Sequence, residues 1–123
     1  MSGKHIVGGE GEQYVARRLY EEGYLILERN WRQKPYEVDL IVYRADTLIF
    51  VEVKTRTDER FGVKRWGMTE SKKQALINAG YFYMEKYDWD TEFRFDVITI
   101  AKVANEWEVK HFKDAFFPGI SGL

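Results

Sequence analysis

Apolar and polar residues alternate along two neighbouring stretches of the chain. In "TLIFVEVK", Leu48, Phe50, Glu52 and Lys54 share one face of a strand, and Ile49, Val51 and Val53 the other. In "EVDLIVY", Glu37, Asp39, Ile41 and Tyr43 share one face, and Val38, Leu40 and Val42 the other. Each strand thus has one wholly apolar face. The second face is apolar near the intervening "AD" and charged away from it. So short a gap predicts an antiparallel hairpin.

Upstream, "GGEGEQYVARRLYEEGY" predicts a helix with Val15, Ala16 and Leu19 on its inner stripe and Gly23 as C-terminal cap. "YLILERNWR" reads as a further strand. Downstream, "DERFGVKRWGM" reads as a loop and "TESKKQALINAGYFYMEKY" as a second helix. Thr69 is its N-cap, and Leu76, Ala79, Gly80 and Tyr83 form its inner stripe. "FRFDVITIAK" and "EWEVKHF" are late strands. The order α-β-β-β-α-β-β predicts an α/β fold, a mixed sheet flanked by helices. Residues 1–123 are expected to form one domain, with 114–123 a loosely packed tail held by Phe116 and Phe117.

The hairpin register brings the chemistry together. A turn centred on Ala45-Asp46 places Arg44 opposite Thr47, Tyr43 opposite Leu48 and Ile41 opposite Phe50. Continued outward, it places Asp39 opposite Glu52 and Glu37 opposite Lys54. Cross-strand partners have Cβ atoms about 4.5–5.5 Å apart. Two carboxylates at that distance repel unless one holds a proton or a cation lies between them. A divalent metal is the economical answer, and carboxylate oxygens suit Mg²⁺ or Mn²⁺. Glu12 shares the stripe of Val15, Ala16 and Leu19, where an unpaired carboxylate is costly to bury. Either it aims at the charged end of the hairpin, or it pairs with Arg17 or Lys54. Taken singly, Asp39 and Glu52 read as solvated strand ends; with Lys54 beside them they read as a site.

Composition narrows the chemistry. The chain has no cysteine, which excludes disulfides, zinc–thiolate sites and cysteine nucleophiles. Its two histidines, His5 and His111, lie too far apart in sequence for a metal-ligand motif. With 45% hydrophobic and 32% charged residues the composition is that of a globular chain. No apolar run reaches the roughly 20 residues of a membrane span. The start "MSGKHIVGGEGEQ" has no apolar signal-peptide core, so a cytoplasmic location is expected. A net charge of −1 argues against tight non-specific DNA binding, although a basic rim around an acidic metal site remains compatible with it.

At these residues "YEVDLIVYRADTLIFVEVKTR" resembles the PD-(D/E)xK motif of restriction-endonuclease-like nucleases. Asp39 matches the first acid and Glu52-Val53-Lys54 the (D/E)xK. Glu12 matches the helix-borne glutamate of archaeal Holliday-junction resolvases. More closely, nearly the whole chain is similar to the YraN-like family of small uncharacterised bacterial proteins. The likeness runs through "GEGEQYVARRLYEEGYLILERNWR", "EVDLI", "FVEVKTR", "FG", Lys72, "RFDVI" and the closing "AF". Tyr36 stands where that family commonly has glycine, and Lys64 and Trp66 where it has proline and glutamate.

The resemblance implies a restriction-endonuclease-like core and a Mg²⁺- or Mn²⁺-dependent nuclease acting on DNA, selective for structure rather than sequence. Asp39, Glu52, the Val53 carbonyl and Glu12 would hold the metal. Lys54 would orient the attacking water or stabilise the transition state. Arg56, Arg60, Lys64, Arg65, Lys72 and Lys73 would form a basic rim, with Trp66 either stacking on a base or plugging the core. Asp96 is read as a structural partner of Arg94, and Tyr81, Tyr83 and Tyr87 as packing. A homodimer is compatible with the class. The competing reading is a nucleic-acid- or protein-binding module that keeps the fold without the reaction.

Overall fold

A computed structural model describes residues 3–56 and 68–117, with side chains from residue 9 onward. The chain runs α1 (Gly3–Glu21), β1 (Leu25–Gln33), β2 (Tyr36–Arg44), β3 (Thr47–Thr55), α2 (Glu70–Lys86), β4 (Glu92–Val103) and β5 (Glu106–Phe116). This is the α-β-β-β-α-β-β order expected from sequence. The strands form one sheet in chain order. β3 and β4 are parallel, joined through α2, and every other neighbour is antiparallel.

Turn chemistry sets the register. Ala45 and Asp46 both take positive φ, 52° and 59°, the conformation of a two-residue type I′ turn. Arg44 therefore faces Thr47, Tyr43 faces Leu48 and Ile41 faces Phe50, as the alternation required. Ala104 and Asn105, with φ of 50° and 66°, make the same turn between β4 and β5. The β1–β2 turn is closed by a cis Lys34–Pro35 bond.

Both helices end as their sequences indicate. At Gly23, φ is +100°, and the Tyr24 N–H donates back to the Leu19 carbonyl at 2.9 Å, a left-handed cap that glycine adopts freely. The Thr69 hydroxyl accepts from the Lys72 N–H at 3.0 Å, capping the start of α2. At its other end α1 reaches back to Gly3, beyond the segment its apolar spacing marks.

The sheet is covered on both faces. On one, Val15, Ala16 and Leu19 of α1 pack on Leu40, Val42, Ile49, Val51, Ile98 and Ile100. On the other, Leu76, Ile77, Ala79 and Tyr83 of α2 pack on Ile41, Leu48, Phe50 and Phe95. Phe50 and Phe95 are fully buried and stacked, with centroids 5.4 Å apart. Gly80 lets α2 sit directly on them: a Cβ there would lie 2.9 Å from Phe95 Cε1.

Two expectations change. Val38 does not join Leu40 and Val42; it packs with Trp31 on the α2 face. The strict alternation breaks where Asn30 on the neighbouring strand takes φ of 52°. The chain end also differs: β5 continues through Phe116, which stacks on Phe95 at 5.6 Å, whereas Phe117 is exposed. The rest of the tail, 118–123, lies outside the described residues.

Candidate metal and phosphate site

The β2–β3 ladder ends at Leu40 and Val51. The expected pairs Asp39–Glu52 and Glu37–Lys54 are absent from it. Instead the Asp39 carboxylate reaches across and accepts from the Val53 N–H at 2.8 Å. The side chain takes the place of the backbone acceptor that the next ladder step would have supplied. The N–H and C=O of one strand residue point to the same edge. The Val53 carbonyl therefore also faces the gap where β2 and β3 part.

Three acids approach this gap from three layers. Asp39 lies in the plane of the sheet. Glu52 is nearly buried on the α2 face, 7% exposed, with Lys72 Nζ 3.9 Å from its Oε2. Glu12 comes from α1, half-buried, with the Asn30 side chain bonded to it. Burial first, then the negative charge of Asp39, raises Glu12 above the usual carboxylate range. Burial also raises Asp39, against the Val53 N–H and the lysines Lys72 and Lys54. Glu52 is pushed furthest, to about 7, by burial and then by Asp39. Asp39 and Glu52 do act on each other, but the contact is electrostatic and side chain to backbone, not the ladder pair expected.

These donors suit a divalent cation. Mg²⁺ takes one or two carboxylates and keeps several waters, so Asp39, Glu52 and the Val53 carbonyl suffice for it. Among the described residues no three His, Asp or Glu groups are gathered tightly enough to form a cluster on their own.

In the metal-free protein the raised acid has a cost with a definite sign. Glu52 binds its proton more tightly folded than unfolded. Its favourable contribution is full below about pH 4.5 and is lost as pH rises to about 7. Glu52→Gln is expected to raise metal-free stability at pH 8 by roughly 2–3 kcal/mol and to leave it unchanged near pH 4. Urea unfolding at both pH values measures this; equal effects at the two would refute it.

The basic residues distribute differently from the sequence expectation. Lys72 lies at the acids rather than on an outer rim. Among the described residues Lys54 forms no direct ion pair, and Glu37 faces Arg32 instead, at 3.8 Å. Arg56 is buried: its guanidinium bonds the Glu108 carboxylate at 3.0 Å and the Glu108 carbonyl at 3.2 Å, tying β3 to β5. It does not line the rim. Lys73 pairs with Glu70 at 3.1 Å. Arg60, Lys64, Arg65 and Trp66 lie outside the described residues. Sequence reading missed Arg29, Asn30 and Arg32, which gather around Glu12. The signal was the dense polar run "ERNWR" inside a strand.

Asp96 is fully buried, and Arg94 is indeed its partner, at 2.9 and 3.2 Å. His111 at 2.8 Å and the Asp114 N–H at 2.9 Å complete its shell. Tyr83 is buried packing, whereas Tyr81 and Tyr87 are about half exposed.

A mixed five-stranded sheet flanked by two helices, with a buried and a partly buried acid at the parting of two strands, defines the architectural class of this chain. Residues 11–100 match the model of "Uncharacterised protein family UPF0102". Relatives extend the match over nearly the whole chain. A UPF0102 protein of Lawsonia intracellularis is 40% identical, covering 89% of this chain and 84% of its own. One of Flavobacterium psychrophilum is 37% identical, covering 95% and 98%. The chain belongs to the UPF0102 family, which is the YraN-like family of the sequence resemblance. No helix among the described residues is long and apolar enough to cross a membrane.

Proposed function

We propose that this protein is a Mg²⁺- or Mn²⁺-dependent nuclease of the PD-(D/E)xK class, acting on DNA and selecting substrates by structure. The observation that carries the reading is the placement of Asp39 and Glu52 where β2 and β3 part. Asp39 is partly buried and accepts from the Val53 N–H at 2.8 Å, Glu52 is nearly buried with Lys72 3.9 Å away, and burial raises both above the usual carboxylate range. An ordinary strand end would leave such acids in water. Here they are an electrostatic demand for a cation.

Asp39, Glu52 and the Val53 carbonyl would hold the metal. Bound there, it would polarise a phosphodiester oxygen and lower the pKa of a water. Lys54 would sit against the negative charge that grows on the phosphate in the transition state. Lys72 would favour the ionised form of Glu52 and add a second positive charge. Glu12 would orient water at the rim. A chain of 123 residues has little surface for reading base sequence, which favours selection by shape.

Calorimetric titration of Mn²⁺ into the parent and into Asp39→Ala needs no knowledge of the substrate. Binding is expected in the parent and none in the variant. Binding should strengthen from pH 6 to 8, because the metal displaces the Glu52 proton. Equal binding by both proteins would remove the site. Absence of binding in both would favour the second reading, a binding module that keeps the fold.

A further inference from the structure

The acids do not lie on one face of the sheet. Glu12 belongs to the α1 layer, Asp39 to the sheet plane and Glu52 to the α2 layer. Each outer acid has its own cations. On β1, Arg29 faces Leu40 and Trp31 faces Val38, so the strand passes Asp39 at Asn30. Arg29 and Arg32 flank that point and are the cations acting on Glu12. Arg32 makes an exposed contact with Glu37 at 3.8 Å, a kind of pair that competes weakly with a phosphate. At the opposite end, Lys72 and Lys54 are the cations acting on Glu52. By layer, Glu12 stands on the α1 side with Arg29 and Arg32 acting on it, Glu52 on the α2 side with Lys72 at 3.9 Å, and Asp39 between them.

We propose that a nucleic-acid strand crosses the end of the sheet from the α1 layer to the α2 layer. Its phosphates are held by Arg29 and Arg32 on one side of Asp39 and by Lys54 and Lys72 on the other, so the bond cut lies inside a strand. An enzyme that trims ends needs to grip its substrate on one side only; cations on both sides fit a continuous strand. Arg29 and Arg32 are thereby assigned as phosphate contacts. The internal position of the cut rests on the nuclease reading; the two-sided grip does not.

Two measurements test it. The first is fluorescence anisotropy of a labelled single-stranded DNA oligonucleotide against salt. Removing one phosphate-binding charge lowers the slope of log K on log salt by about 0.7. Arg29→Gln with Arg32→Gln, and separately Lys54→Gln with Lys72→Gln, are each expected to lower it by about 1.4. An unchanged slope in either pair overturns the two-sided grip. The second is incubation of circular and linear single-stranded DNA with Mn²⁺. Opened circles are expected before short fragments. Linear DNA shortened while circles survive overturns internal cutting and leaves the nuclease reading standing. No cleavage of either form removes that reading and internal cutting with it, and the slopes then decide the grip alone.

Discussion

Asp39→Asn is expected to lower metal-dependent cleavage by about 10³-fold or more while the protein stays folded. The magnitude follows from the several kcal/mol that a bound metal contributes to charge stabilisation, at 1.36 kcal/mol per tenfold in rate. The choice of asparagine follows from the geometry. Asp39 accepts from the Val53 N–H at 2.8 Å, and an asparagine carbonyl can do the same. Alanine cannot, and would leave a partly buried N–H unsatisfied at a cost of about 1–3 kcal/mol. Asparagine thus removes the charge and keeps the bridge between the strands. Cleavage rate and urea midpoint, measured on one preparation, separate the two effects. A variant that cuts at the parental rate would show that Asp39 is a strand clip and not a ligand.

Much of this was legible in the sequence because it depends on local rules. Alternation assigned Ile41, Leu48 and Phe50 to one face, and the two-residue gap at Ala45-Asp46 fixed the register. Glycine at 23 and threonine at 69 marked a helix end and a helix start. What failed was long-range or conformational. Nothing in the alternation announces that Val38 packs on the α2 face beside Trp31, opposite the point where Asn30 takes a left-handed φ. Nothing local places Arg56 against Glu108, since that contact needs the order of β3, β4 and β5. Lys72 reads as a surface lysine until the crossover through α2 brings the helix start to Glu52. The site is a meeting of layers, and alternation reports only on single strands.

Asp96→Ala is expected to destabilise the protein by about 3–5 kcal/mol, the cost of breaking a buried charge network from one side. Burial by itself would push Asp96 upward. Bonds from His111, Arg94 and the Asp114 N–H outweigh it and hold the carboxyl below its ordinary value. The sign is opposite to that of Glu52: Asp96 contributes stability above about pH 3.8, and the contribution is lost as pH falls below that. Removing it takes the carboxylate partner from Arg94 and unties β5 beside its bulge. For a chain of this size the melting temperature should fall by roughly 10–20 °C. Cleavage per folded molecule should remain near the parental level at low temperature, because no atom of Asp96 belongs to the parting of β2 and β3. Asp39 and Asp96 are both carboxylates taken from water. One is satisfied by the protein and holds the sheet together; the other is left short of positive charge. A melting temperature that hardly moves in Asp96→Ala, or a loss of cleavage as deep as that of Asp39→Asn in the folded variant, would erase that distinction.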